Sequence, residues 1–365
     1  MLKILNIGAN CFRTYSNNKR VFIFGAGRTL DSCLDIYFEN TPIEAIIDNN
    51  PEKWGSKIVY NGRSIDIISV DDFIKRVKKD GVSEYILFIS VINYAVEIVE
   101  QLDKYYELDG LECALMILVR NTIEFMPSFE FTNGEQKIPK IIHYIWVGGK
   151  SLPYEYQKNI DTWKKYNPEY EIKCWNEDNY DINKCNYVRE AYESGNWGFV
   201  PNYMRLDIIY EEGGIYLDTD VEAVANFDKL LKDEAFFNMG CTDRVNQGCG
   251  FGAVKHSQII NDMRREFERV HFIEEKTGIQ KIPCHKIIHP VIKKYGFTLE
   301  NTYQNIDGIV LYPKEVMSPK TIKGFPDMIS NKTVSIHKEE SSWKDDKEKE
   351  QFNRIESFIR ERVKP

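Results

Sequence analysis

Short unbroken apolar runs alternate with amphipathic stretches over residues 20–118. Arg20–Phe24, Ile43–Ile47, Tyr85–Ile89 and Ala114–Val119 read as strands. Between them, Thr29–Glu39, Val70–Lys79 and Ala95–Tyr105 read as helices, with Ser69 placed to cap the second. This strand–helix rhythm predicts a parallel sheet covered by helices on both faces. Asn121–Gly134 has turn residues and no period, as a linker has. A second alternating unit starts at Lys137, with a strand at Ile141–Val147, a turn at Gly148-Gly149, a helix from Pro153 to Tyr166 and a strand at Tyr170–Trp175. Pro201–Glu212 is a helix with proline in its first turn, and Gly213-Gly214 stops it. Ile215–Leu217 follows as a short buried strand and runs straight into Asp218-Thr219-Asp220. Near the C-terminus, Phe352, Ile355, Phe358 and Ile359 form an apolar stripe on a helix over 347–363. Docking of that stripe onto the protein's own core is the preferred reading, with contact to a membrane surface as the alternative. The pattern predicts an α/β protein with a first domain at 1–120, a linker at 121–136 and a second domain at 137–365 that ends in the C-terminal helix.

Composition narrows the partners. A chain of 365 residues with a formal net charge of -8 is an ordinary globular protein of about two domains, and its acidic balance disfavours a nucleic-acid backbone. Met1–Phe12 lacks the apolar core of an export signal, and Tyr85–Val99 is broken by Ser90, Asn93 and Glu97 and too short to span a bilayer. The 8 cysteines are scattered, with no Cys-x-x-Cys, which disfavours a zinc site and suits a cytoplasmic protein.

Gly25-Ala26-Gly27, with Asp48 about 20 residues on, has part of a dinucleotide-binding fingerprint, but Leu30 stands where the third glycine belongs. Val21–Gly27 together with the stretch IIDNNPEKWG at 46–55 resembles the Rossmann-like domains attached to bacterial polysaccharide-synthesis enzymes. A structural or docking module is the preferred reading of this domain over a working cofactor site, and it is also the route by which the chain could form an oligomer.

Asp218-Thr219-Asp220 is the only Asp-x-Asp in the chain. An isolated one is usually a solvated loop. This one lies at the C-terminal end of an apolar strand, where open α/β sheets bind ligands. Two carboxylates there call for a counter-ion, and a divalent cation supplies it while bridging to a diphosphate.

Three blocks in order carry a family resemblance: IPKIIHYIWVGG at 138–149, PNYMRLDIIYEEGGIYLDTDVE at 201–222, and SIHKEESSW at 335–343. Together they resemble the Asp-x-Asp sugar transferases of glycosyltransferase family 32, and the large clostridial glucosylating toxins are similar at the same places. The resemblance implies a GT-A fold, transfer with retention of configuration, a nucleotide-sugar donor of the UDP or GDP class, and Mn²⁺ or Mg²⁺. It implies that Asp220 ligates the metal and that Asp218 meets the donor's ribose or sugar and reaches the metal through water. Trp146 would stack on the base, Arg205 would contact donor sugar or phosphate, and Ser342 and Trp343 would close the site on metal and phosphate. His337 matches the family's first histidine in the closing motif, which places it near the metal, and Lys338 replaces the second. Pro201-Asn202 replaces the usual Ser-Asp, so Asn202 takes a position that elsewhere binds donor-sugar hydroxyls. Asn246 and Gln247 lie where the family approaches its acceptor. The implied setting is surface-polysaccharide synthesis, capsule or lipopolysaccharide, on a glycan or lipid-linked acceptor at the inner face of the cytoplasmic membrane.

Each residue also has a plain structural reading. Trp146 could be core, Arg205 could pair with Asp207 or Glu212 on its own helix, and Asn246-Gln247 could be an ordinary polar loop. Two other functions stay open on sequence: a nucleotide-dependent sugar-modifying oxidoreductase centred on the first domain, and a catalytically silent nucleotide-sugar-binding protein.

Overall fold

The apolar runs Arg20–Phe24 (β2) and Tyr85–Ile89 (β6) pair in parallel along their whole length and form the centre of a seven-stranded sheet. Around them lie β1 (Lys3–Ile4), β3 (Ile43–Ile47), β4 (Lys57–Tyr60), β5 (Arg63–Ile68) and β7 (Glu112–Leu115), in the order β1-β7-β6-β2-β3-β5-β4. All neighbours are parallel except the β4–β5 hairpin. Helices α1 (Ala9–Ser16), α2 (Leu30–Tyr37), α3 (Val70–Asp80), α4 (Ala95–Leu102) and α5 (Met116–Asn121) accompany the sheet. Ser69 caps α3 by accepting from the backbone N–H of Asp72, as its position suggests.

The computed structural model describes the chain apart from residues 28, 40, 125–126, 275–277, 280–281, 322–325, 339–345 and 364–365, and at 346–349 and 352 it describes backbone alone. The chain divides into two units, one holding Met1–Phe125 and the C-terminal helix, the other built from Met126–Lys320 and Asp327–Glu340.

The second unit has a mixed sheet in the order β17-β18-β12-β14-β10-β8-β9. Its strands are β8 (Ile141–Ile145), β9 (Glu171–Trp175), β10 (Gly214–Tyr216), β12 (Ala235–Gly240), β14 (Phe251–Ala253), β17 (Gln304–Ile306) and β18 (Ile309–Tyr312). β8, β9 and β10 run parallel, and β14 is antiparallel to β10. A short β13 (Arg244–Val245) pairs with β12, β11 (Val221–Ala223) pairs with β19 (Ser335–His337), and β15 (Ile273–Glu274) pairs with β16 (Gly278–Ile279). The helices are α6 (Tyr154–Tyr166), α7 (Asn186–Glu193), α8 (Pro201–Glu212), α9 (Gln258–Glu268), α10 (Cys284–Lys294) and α11 (Lys314–Met317). The α/β class read from the sequence is the class observed.

Three expectations need correction. The apolar run at Ala114–Val119 is not one strand: the strand ends at Leu115 and α5 begins at Met116. A fully buried run has no polar face to set its period, so strand and helix look alike. The stretch at 121–136 is not a bare linker, because Phe129 and Phe131 pack into the core of the second unit, with Phe129 stacked on Tyr303 at 4.8 Å. The C-terminal helix α12 (Asp346–Arg362) belongs to the first unit rather than the second. Its Ile355 and Ile359, with Val363 just beyond it, are buried in that unit's core, and Arg362 pairs with Asp103 at 2.7 Å. Ile355 and Ile359 of the predicted stripe are thereby covered, as self-docking requires. No helix among the described residues is long and apolar enough to cross a membrane.

Candidate functional site

Glycine ends α8 at Gly213, whose φ of 71° is costly for any residue with a Cβ. The chain then turns at once into β10, which delivers Asp218 just past its C-terminal end. A bond from Val221 N to Asp218 O at 3.1 Å closes a turn around Thr219 and Asp220. β11 leaves that turn and pairs with β19 so that Val221 lies opposite His337. Asp220 Oδ1 thereby sits 3.2 Å from His337 Nε2. Asp218, Asp220 and His337 each offer a ligand atom within 4.8 Å of the others. Two carboxylates and an imidazole suit a divalent cation of the transition series, and the residues present fit the metal the Asp-x-Asp implies.

Beneath this cluster lies Arg205. It is 7 % exposed and sits over the Tyr216 ring at 4.9 Å, with Nη1 3.7 Å from Asp218 Oδ1. Burial alone would pull its pKa down; Asp218 and Tyr216 beside it outweigh burial and keep it charged. Its possible partners on α8 are engaged elsewhere, Asp207 with Lys184 and Arg264, and Glu212 with Lys173. Arg205 therefore pairs with neither acid of its own helix: its Nε donates to Pro201 O at 2.9 Å, and its Nη1 faces Asp218. Asn202 is buried one turn earlier, accepting from Arg205 Nη2 at 3.4 Å and donating to the Tyr187 hydroxyl at 3.2 Å.

Trp146 follows β8 and is half-buried, outside the core cluster. Its indole N–H donates to Lys150 O at 2.6 Å, and its ring lies 5.6 Å from that of Tyr156. Behind it, buried His143 accepts at Nδ1 from Trp175 Nε1 at 3.0 Å, so Nε2 carries the proton donated to Gly213 O at 2.9 Å. Burial pushes His143 down to about 4, and its role is to tie β8 to β9 and to the α8–β10 turn. The next turn is held by Glu177, which accepts from Gly148 N and from the Tyr192 hydroxyl. Burial would raise the Glu177 carboxyl, but these donors outweigh it.

Asn246 and Gln247 lie beside the cluster without opening onto it alike. Asn246 accepts from Gly248 N at 2.9 Å and so shapes the turn that brings Gly248 against Asp218. Gln247 is 2 % exposed and accepts from the Cys284 thiol at 3.2 Å, so it would meet an acceptor only by giving up its present contacts. Ser342 and Trp343 lie outside the described residues. Sequence reasoning passed over Tyr216, whose hydroxyl donates to Asp218 Oδ1 at 2.7 Å. The available signal was a polar-tipped aromatic two residues before Asp218, on the same side of an extended chain.

A family resemblance falls on the same segment. Residues 153–237 match the family described as glycosyltransferase sugar-binding region containing DXD motif. Subversion of eukaryotic traffic protein A from Legionella pneumophila is 32% identical over 120 residues, covering 26% of this chain and 18% of that protein. The chain thus matches less than a fifth of the length of that curated relative. Among solved structures, PaToxG Glycosyltransferase aligns with a TM-score of 0.34 at 17% identity, over 44% of this chain and 69% of that one. A glycosyltransferase involved in the glycosylation of the major capsid of PBCV-1 aligns with a TM-score of 0.33 at 10% identity, over 60% of this chain and all (100%) of that one. The segment from α6 to β12, with Asp218 and Asp220 in it, is therefore similar to the sugar-binding region of DXD glycosyltransferases.

Proposed function

We propose that this protein is a metal-dependent glycosyltransferase that moves a sugar from a nucleotide-sugar donor to a glycan acceptor. The observation that carries the reading is the convergence of Asp218, Asp220 and His337 above buried Arg205, within the segment similar to DXD transferases. A bound divalent cation would neutralise the diphosphate charge that develops as the donor's sugar–phosphate bond breaks. The imidazole of His337 favours Mn²⁺ over Mg²⁺, which prefers oxygen ligands throughout.

The chain's own residues do the rest. Tyr216 and Arg205 fix the orientation of Asp218. Arg205, held charged, stabilises the departing diphosphate. Trp146 offers a partly open indole face for the base. In a retaining, front-face transfer the acceptor oxygen bonds to the anomeric carbon as the carbon–diphosphate bond breaks, and the acceptor's proton passes to the leaving phosphate. Ser342 and Trp343 complete the donor site in this reading, and a lipid-linked or surface-polysaccharide intermediate is the acceptor.

The oxidoreductase alternative is disfavoured by the first unit itself. Asp48, the acid that would hold a ribose, accepts at Oδ2 from Ala26 N at 2.8 Å and Lys53 Nζ at 3.0 Å, and at Oδ1 from Asn50 N at 2.8 Å. The Gly25–Gly27 loop is thus latched to the group that a cofactor would need.

The test is release of nucleoside diphosphate from a panel of UDP- and GDP-sugars, with Mn²⁺ and with chelator. Metal-dependent release, lost in Asp220→Asn, is expected. Release that is unchanged in excess chelator would sink the metal-dependent mechanism. Donor binding with no turnover on any acceptor would leave a silent binding protein. Because the curated relative is named for an action on eukaryotic traffic, a protein acceptor is the second reading, and labelled sugar appearing on protein rather than glycan would establish it.

A further inference from the structure

Helix α6 presents one face to the backbone that follows Asp218. Asn159 Nδ2 donates to Thr219 O at 2.8 Å, Trp163 Nε1 donates to Val221 O at 2.7 Å, and Thr162 Oγ1 accepts from Ala223 N at 2.8 Å. Positions 159, 162 and 163 share a helical face; Thr219 lies in the turn, and 221 and 223 are alternate residues of β11. The opposite edge of the same stretch is paired with β19.

Lys338 links the two sides. Its backbone N–H donates to Asp220 O at 3.0 Å, and its Nζ donates to Asn159 Oδ1 at 2.8 Å and pairs with Glu222 Oε2 at 3.2 Å. Asn159 is 2 % exposed and is engaged at both ends, its oxygen by Lys338 and its amide by Thr219. The Thr219 carbonyl belongs to the peptide plane that leads into Asp220. Holding that carbonyl sets the direction in which the Asp220 side chain departs.

We propose that Asn159 and Lys338 are positioning residues for the Asp-x-Asp, aiming Asp220 at the place where it meets Asp218 and His337. The inference rests on the metal-binding reading of that cluster. Lys338 is a lysine where the family's closing motif has a second histidine, and its ammonium is spent on Asn159 and Glu222, which gives the replacement a function of its own.

Charge and positioning predict opposite signs, which makes the idea testable. Removing a cation beside a metal site, or adding a carboxylate there, tightens metal binding by Coulomb's law alone. Losing the groups that orient a ligand loosens it, typically 10–100-fold. The experiment is Mn²⁺ titration of the full chain, followed by the paramagnetic resonance signal of the free ion, with and without uridine or guanosine diphosphate. Lys338→Met and Asn159→Asp are each expected to raise the half-saturating Mn²⁺ concentration about tenfold or more, with Lys338→Arg recovering part of the loss. Lys338, whose side chain is 33% exposed, keeps the test decisive should the buried Asn159 variant fail to fold. Equal or tighter Mn²⁺ binding in the folded variants overturns the inference and leaves the metal site standing. If the wild type takes up no Mn²⁺ at all, the metal reading falls and this inference falls with it.

Discussion

Tyr216 donates its hydroxyl to Asp218 Oδ1 at 2.7 Å, and the Arg205 guanidinium that covers the Tyr216 ring lies 3.7 Å from the same oxygen. One oxygen of Asp218 is therefore fixed from below. Tyr216→Phe keeps the buried ring and removes only the donor. Hydrogen bonds to charged groups contribute about 1.5–3 kcal/mol, so kcat/KM should fall roughly tenfold to a hundredfold. The melting temperature should move by only a few degrees. Steady-state kinetics on whichever donor the panel identifies checks this, and an unchanged kcat/KM would mean that Asp218 needs no support from Tyr216.

The other oxygen of Asp218 depends on a missing side chain. A Cβ at Gly248 would lie 2.2 Å from Asp218 Oδ2, closer than any real contact. Gly248→Ala should therefore displace the Asp218 carboxylate while leaving the fold intact. Mn²⁺ affinity should drop by an order of magnitude or more, comparable with other losses of ligand orientation. Retained affinity in the variant would show that Asp218 can swing clear and that its present rotamer is not the one that binds.

A third prediction concerns pH. Burial holds His143 at about 4 in the folded protein against 6.5 for the free side chain. Above pH 6.5 neither state is protonated there and the stability of the fold is complete. As pH falls toward 4, the unfolded chain takes up a proton that the fold refuses, and each pH unit costs about 1.4 kcal/mol. His289, pushed down to about 3 by burial and by Arg244 and Lys293, acts in the same direction. The wild type should thus lose stability steeply between pH 6.5 and 5. In His143→Gln the slope should be shallower by about 1.4 kcal/mol per pH unit, measured by urea unfolding at both ends of the window. Identical slopes would show that His143 charges within the fold.

Asp218-Thr219-Asp220 was legible because the strand, the glycine stop and the acidic pair are contiguous. Arg205 was legible as a candidate but not as a choice, since only the structure shows Asp207 and Glu212 engaged by other cations. The pairing of His337 with Asp220, the clamp from Asn159 to Thr219 and the approach of Gly248 join positions far apart in the chain. No local period encodes them. The stripe on α12 announced a docking surface but not its partner, because Ile355 and Ile359 would fit any apolar face. The β4–β5 hairpin was within reach: Asn61-Gly62 between two apolar runs is a strong turn signal, and Asn61 has the positive φ of 47° that such a turn requires.

The last prediction concerns Asn202, which stands where the resemblance to family 32 transferases implies an aspartate. Here its oxygen accepts from Arg205 at 3.4 Å and its amide donates to Tyr187 at 3.2 Å. Asn202→Asp would place a second carboxylate within reach of the guanidinium that now lies 3.7 Å from Asp218. The Tyr187 hydroxyl can reverse its role and donate to the new carboxylate, so the substitution leaves no unpaired buried donor. Arg205 would then be shared between two acids, and its hold on Asp218 would weaken. Fold and melting temperature should be retained, while donor preference shifts among nucleotide sugars, by roughly the 1 kcal/mol that separates charged from neutral hydrogen bonds. Asn202→Ala should do something different: it frees the Tyr187 hydroxyl and leaves a cavity, lowering stability without favouring one sugar over another. The measurement is a ranking of initial rates for wild type and both variants across several donors. If neither variant changes the ranking, Asn202 serves only to pack the first turn of α8 and has no part in sugar recognition.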